Sequence, residues 1–236
     1  METGIRELLS TLGGLRDAHQ VFDQIGRSAR HLGFDQCAYG LRLPLPFTKP
    51  RTLMLNNYDS RWSRRYEDKG YLDVDPTVRI GQRSNFPFVW SNEIFRGAPQ
   101  FWSEARSFGL NVGWAQSCFD GDGAVGLLSV SRSHEALTHI ELMAKEPPLR
   151  RLVNIGHTAL SFVLGRNVTN ARTALTKREV EVLQWTADGK TSSEIGNILS
   201  VATDTVNFHI KNVIAKLDVA NKTAAVAKAA VLGLLR

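Results

Sequence analysis

Leu175-Thr-Lys-Arg-Glu-Val-Glu-Val-Leu183, Gly189-Lys-Thr-Ser-Ser-Glu-Ile-Gly196 and Thr205-Val-Asn-Phe-His-Ile-Lys-Asn-Val213 set out three short helices in succession. Thr176 and Glu179 have capping-box spacing: the hydroxyl accepts from the Glu179 backbone N–H while the carboxylate reaches back. Val180, Leu183 and Ala187 recur at helical spacing behind that cap, and Gly189 supplies a stop. Ser192 or Ser193 opens the second helix, with Ile195 and Leu199 on one face, and Ser200-Val-Ala202 leaves room only for a tight turn. In the third helix Val206, Ile210, Val213 and Leu217 fall at i, i+4, i+7 and i+11, one continuous buried stripe. Asn207 and Lys211 lie one turn apart on a different side, flanked by Thr203 and Phe208. Asn suits adenine in a major groove, and Lys suits guanine or phosphate. Lys190 and Thr205 stand at helix starts, where side-chain and backbone donors meet phosphates. Any one of these helices alone would fit an ordinary amphipathic bundle. The ordered set, with its short turn, predicts a helix-turn-helix reader of duplex DNA.

Bulk properties agree with that reading without forcing it. The formal net charge is +6 over 236 residues, compatible with nucleic acid but moderate. Residues 171–236 hold nine Lys and Arg against six Asp and Glu, which is half of the basic excess. Cys37 and Cys118 lie in apolar contexts without metal-like neighbours, so reduced, buried, structural thiols in a cytoplasmic protein are expected. No run approaches the ~18 apolar residues that span a bilayer, and no charged-then-apolar leader precedes the first helix.

Upstream, Ala18, Val21, Phe22, Ile25, Ala29 and Leu32 predict an amphipathic helix broken at Gly33. Strands are expected over 34–42 and 52–56, short helices over 60–69, 75–83 and 99–108, and a hairpin over 112–119 and 125–131. Leu149, Leu152, Val153, Leu160, Val163 and Leu164 stripe a long helix, too apolar for solvent and therefore a candidate dimer surface. Helices around strands predict an α+β N-terminal domain, an α/β/α sandwich with a mainly antiparallel sheet, over 1–165. A polar linker follows at 166–173, then an all-α helix-turn-helix domain over 174–236. Gly121-Asp-Gly123-Ala-Val-Gly126 matches a dinucleotide fingerprint, but strand-like residues follow where a helix is required, so these glycines are a hairpin turn.

Tyr58, Trp62 and Tyr66 fall at i, i+4 and i+8; Asp75-Pro76 opens the following helix, and Trp90 lies beyond a short strand. Aromatics at helical spacing usually form core. Here the rings carry polar handles and an Asp lies near them, a set suited to an apolar pocket with a few directional hydrogen bonds.

Both halves resemble the LuxR-type acyl-homoserine-lactone-responsive, quorum-sensing transcriptional regulators. The C-terminal pattern of that family is met at Thr176 to Leu183, Gly189 to Gly196, Leu199-Ser200, Thr205 to His209, Asn212, Lys216-Leu217 and Asn221-Lys222. It departs at Ala202-Thr203-Asp204, where the family has Ser-Glu-Arg or similar. Alanine there lacks a side-chain cap worth about 0.5–2 kcal/mol, and Thr203 is expected to take over. The N-terminal pattern is met at Trp62, Tyr66, Asp75-Pro76 and Trp90, with Gly40, Arg42, Gly109-Leu110, Gly113 and Leu128-Ser129.

The resemblance implies that Trp62 donates its indole N–H to a lactone carbonyl and that Asp75 accepts from the ligand amide. Tyr58 and Ser129 would contact the amide carbonyl, Tyr66 would line the acyl path, and Trp90 would pack on the ring. It implies Lys190, Thr203, Thr205, Asn207, Phe208 and Lys211 as the DNA-facing set. It also implies duplex DNA and a second copy of the chain as partners, RNA polymerase as a further candidate partner, and neither a cofactor nor a metal. An enzyme acting on the lactone would need a nucleophile–base or His-rich metal pattern, which the six scattered histidines do not form. A receiver domain would need an acidic cluster after the first strand, and none stands there. An orphan receptor with another small ligand is the nearer alternative.

Overall fold

The computed structural model describes residues 17–166 and 175–235. They fall into two compact units. All but the first residue of the expected 166–173 linker lies outside the described residues.

The N-terminal unit is built on one antiparallel sheet of order β2-β1-β5-β4-β3, with β1 Gln36–Arg42, β2 Thr52–Asn56, β3 Phe88–Val89, β4 Val112–Phe119 and β5 Val125–Arg132. Because side chains alternate across a strand, each strand serves two layers. Cys37, Tyr39 and Leu41 of β1, Trp114 of β4, and Leu128 and Val130 of β5 point to one side. There they pack against α1 (Ala18–His31) and α5 (His139–Arg166). On the other side lie α2 (Ser60–Asp68), α3 (Pro76–Gly81) and α4 (Pro99–Ser107), so the expected α/β/α sandwich is present. Gly121 and Gly123 do lie in a hairpin turn between β4 and β5, Gly123 at φ 80°, whereas Gly126, expected in the same turn, falls within β5 opposite Cys118.

Helix α5 begins at His139, ten residues before the stripe the sequence marks, and continues through Pro147 and Pro148. The prolines leave the carbonyls of Met143 and Ala144 without their usual N–H partners, and both residues are exposed, where water serves. Leu149, Leu152, Val153 and Leu160 of the stripe are buried against α1 and the sheet of the same chain. The stripe is therefore core, and the inference of a dimer surface from it is corrected: its apolar face already has an intramolecular partner. Among the buried polar groups, His157 Nε2 lies 3.0 Å from Asp120 Oδ1 and Nδ1 lies 2.8 Å from the Tyr39 hydroxyl. An acceptor-only carboxylate places the proton on Nε2, so Nδ1 accepts from Tyr39. A Cβ at Gly126 would overlap this imidazole, which makes the glycine a packing requirement. Cys118 is half-buried rather than buried, and its thiol donates to Asn154 Oδ1 at 3.2 Å.

The C-terminal unit contains α6 (Lys177–Ala187), α7 (Ser192–Leu199), α8 (Thr203–Lys216) and α9 (Lys222–Val231). The Thr176–Glu179 capping box is present, and a second, Thr191–Glu194, opens α7. Val182, Leu183 and Glu179 are the buried residues of α6, while Ala187 is exposed and Val180 only half-buried. The sequence reading had the phase wrong: Leu183 faces α8 and α9 while Val182 faces α7 and α8, so two adjacent positions are consumed by different neighbours. Val206, Ile210, Val213 and Leu217 of α8 are buried as expected.

Candidate functional site

A cavity of about 140 Å³ separates the sheet from the α2–α4 layer. Tyr58, Trp62, Tyr66, Asp75, Trp90 and Ser129, drawn from four separate stretches of sequence, all line it. Asp59 caps α2 through the Arg61 N–H, which starts the helix so that Trp62 and Tyr66 stand one turn apart with rings 6.0 Å from each other. Trp62 is 1% exposed, surrounded by Tyr66, Tyr71, Phe101 and Phe108.

Asp75 is the N-cap of α3, with Pro76 in the first turn. Its Oδ1 accepts from the Thr77 backbone N–H at 2.8 Å and from the Thr77 hydroxyl at 2.7 Å, and its Oδ2 accepts from the Tyr66 hydroxyl at 3.0 Å. Burial pushes the Asp75 carboxyl above the usual carboxylate range, opposed by the hydrogen bonds from Thr77 and Tyr66. Burial likewise raises the Tyr58 and Tyr66 phenols, so both stay neutral donors. Oδ2 holds one donor and retains acceptor capacity on the cavity side. Trp90 lies across Gly113, where any Cβ would overlap the indole, and its Nε1 is buried without a partner among the described residues. The site thus has one polar end, comprising Asp75, Tyr58, Ser129 and two indoles, and elsewhere mainly apolar walls interrupted by polar side chains such as Arg42, Thr52, Glu67 and Gln82. Such an arrangement orients a small amphiphile by its head.

Sequence reasoning missed several lining groups. Thr77, two residues after an Asp N-cap, was legible as an Asp-turn partner. Phe95, Phe101, Ala105 and Leu110 carry no pattern that separates lining from core. Ala38, Thr52, Met54, Val125 and Leu127 follow from strand alternation once the face is known. The thiols offer no nucleophile: burial pushes Cys37 up to about 12 and Cys118 up to about 11. Among the described residues no group of three or more His, Cys, Asp or Glu could hold a metal ion.

In the C-terminal unit the turn between α7 and α8 is tight because Ser200 adopts left-handed φ 54°. A Cβ at Gly196 would lie 2.8 Å from the Val201 carbonyl oxygen. Ala202 is the N-cap of α8 and makes no side-chain cap, and Thr203 is the first helical residue rather than its replacement. Thr203, Thr205, Asn207, Phe208 and Lys211 are all exposed along α8, Phe208 by 60%. Lys190 is half-buried just before the α7 cap. Asn207 and Lys211 are committed to no hydrogen bond or ion pair among the described residues, so their donors and acceptors are available.

Residues 17–160 match the Autoinducer binding domain family and residues 173–229 match the family of bacterial regulatory proteins, luxR family. The transcriptional activator protein SolR of Ralstonia nicotianae is 42% identical over 236 residues, covering 100% of both chains. The HTH-type quorum-sensing regulator RhlR of Pseudomonas aeruginosa is 38% identical, over 97% of this chain and 95% of RhlR. A crystal structure of Escherichia coli SdiA superposes with TM-score 0.85 at 33% identity, covering 98% of each chain. A structure of SdiA in complex with octanoyl-rac-glycerol gives 0.83 at 34% identity, over 98% of this chain and 95% of that one. With a walled amphiphile cavity in one unit and an unengaged polar helix face in the other, the chain belongs to the LuxR family of autoinducer-binding transcriptional regulators.

Proposed function

We propose that the ligand is an N-acyl-homoserine lactone and that the chain, as a homodimer, binds a near-palindromic promoter site to regulate transcription. The observation that carries the ligand reading is the polar end of the cavity. A buried carboxylate with spare acceptor capacity matches an amide N–H. Phenol and serine hydroxyls at Tyr58 and Ser129, with an indole N–H, match two carbonyls. Apolar walls match an alkyl tail. In this reading Trp62 meets the lactone carbonyl, Asp75 the amide N–H, Tyr58 and Ser129 the amide carbonyl, and Trp90 packs on the lactone ring. The exposed Thr203, Thr205, Asn207, Phe208 and Lys211, with Lys190, face DNA. One helix-turn-helix reads one half-site, so two copies would read sites about one helical turn apart.

A second reading takes an acylglycerol, since SdiA was solved with octanoyl-rac-glycerol. It lacks the amide N–H, so only its glycerol hydroxyls could donate to Asp75. Asp75→Asn keeps the side-chain oxygen that caps α3, so the fold is retained while the amide acceptor is weakened. Losing one partner of a buried hydrogen bond costs about 1–3 kcal/mol, so Asp75→Asn and Trp62→Phe should each weaken the lactone dose-response roughly tenfold or more. Dose-responses to the lactone that stay unchanged for both variants, at equal soluble protein, would sink the lactone reading.

A further inference from the structure

The cavity floor is ruled like a scale by the sheet register. Asn56, Ala38 and Ser129 pair side by side across β2, β1 and β5 at the polar end. Two residues along, Met54, Gly40 and Leu127 form the next rung, and Thr52, Arg42 and Val125 form the third. All nine positions line the cavity. At the middle rung the backbone is bare, and a Cβ on Gly40 would come no nearer to another atom than 3.9 Å, from Thr52 Cγ2. A smooth trough therefore leads from the polar end to Arg42. This residue is half-buried and lines the cavity, with no carboxylate within ion-pair distance among the described residues.

Resting on the lactone reading, we infer that Arg42 closes the acyl channel and sets its chain-length limit at about eight carbons. Four residues of antiparallel strand from Ala38 to Arg42 span roughly 14 Å. Contact distance at the far end removes about 4 Å. The remaining ~10 Å holds about eight carbons at roughly 1.25 Å per methylene, given C–C bonds of ~1.5 Å. Short of that limit each added methylene is buried in apolar walls and strengthens binding about fourfold. Beyond it the tail must strip water from a permanently charged group that has no ion-pair partner among the described residues to replace it. The gain stops, and longer chains lose.

The test is a competition. Full-length protein is produced with an equimolar mixture of unsubstituted straight-chain lactones of four to twelve carbons, and the retained species are quantified by mass spectrometry. The native protein should retain octanoyl over dodecanoyl by tenfold or more. Arg42→Met, which keeps an unbranched stem but no charge, should bring that ratio to parity or reverse it while still holding octanoyl. Arg42→Lys should keep the native cut-off. An Arg42→Met ratio within twofold of native overturns the gauge, and so does an Arg42→Lys variant that behaves like Arg42→Met. Native protein that retains no lactone of any length defeats the ligand reading itself, and the gauge falls with it.

Discussion

Glu179 shows how much one side chain can carry. Its carboxylate accepts from the Thr176 backbone N–H at 2.7 Å and from Lys216 Nζ at 2.7 Å, while the residue is 3% exposed. Burial acts to raise its pKa and is outweighed by Lys216 and Thr176, which hold the group below its ordinary value. A depressed carboxylate stabilises the fold fully above the unfolded value of about 4.3 and loses that contribution as pH falls through the folded value. Glu179→Gln should therefore lose about 1–3 kcal/mol at pH 7 in urea unfolding, and its deficit should shrink as the pH drops below about 4. A deficit independent of pH would show that shape, not charge, is the contribution. The cap was legible because Thr and Glu stand three apart; Lys216 was not, because 37 residues separate the partners and only the tertiary fold joins them. The same limit explains Arg42, which the sequence offered only as part of a family pattern. Its position at the end of a trough comes from strand register.

At the level of elements, long amphipathic helices and alternating strands were legible because period sets face. The short pieces Tyr71–Asp73 and Ile94–Gly97 were not, since no periodicity develops over so few residues, although the short strand ahead of Trp90 was expected and is Phe88–Val89. Helix α8 is the clearest case of a readable element, its buried and exposed faces both following from spacing. In the DNA reading, Asn207→Ala should cost about 1–3 kcal/mol on the cognate site and relax preference at one base pair. Lys190→Ala should weaken binding to all duplexes alike and lower the salt slope by about one. Titrations against cognate and scrambled duplexes at several salt concentrations separate the two, and an equal loss for Asn207→Ala on both duplexes removes it as a base reader.

For the whole molecule, assembly is the open quantity that function turns on. The α5 stripe no longer argues for it, but Ile140 and Met143 on the same helix are 82% and 65% exposed, one turn apart. Sedimentation should give a homodimer in the presence of lactone and operator duplex; a monomer under both conditions would overturn the two-half-site reading. The sandwich itself was predictable from the alternation of helices and strands, and the polar handles of the aromatic set with Asp75 pointed to a pocket, while the cavity's floor and extent were not legible, because a void is a property of two layers and belongs to neither. The two-sided sheet has a consequence for descent. Along β1, positions 37, 39 and 41 hold the scaffold while 38, 40 and 42 line the cavity. Along β5, 128 and 130 do the former and 125, 127 and 129 the latter. In the lactone reading, change on one parity should alter which molecule is bound, and change on the other should cost stability. A lineage of such receptors is thereby free to diverge in dialect while its architecture stands still.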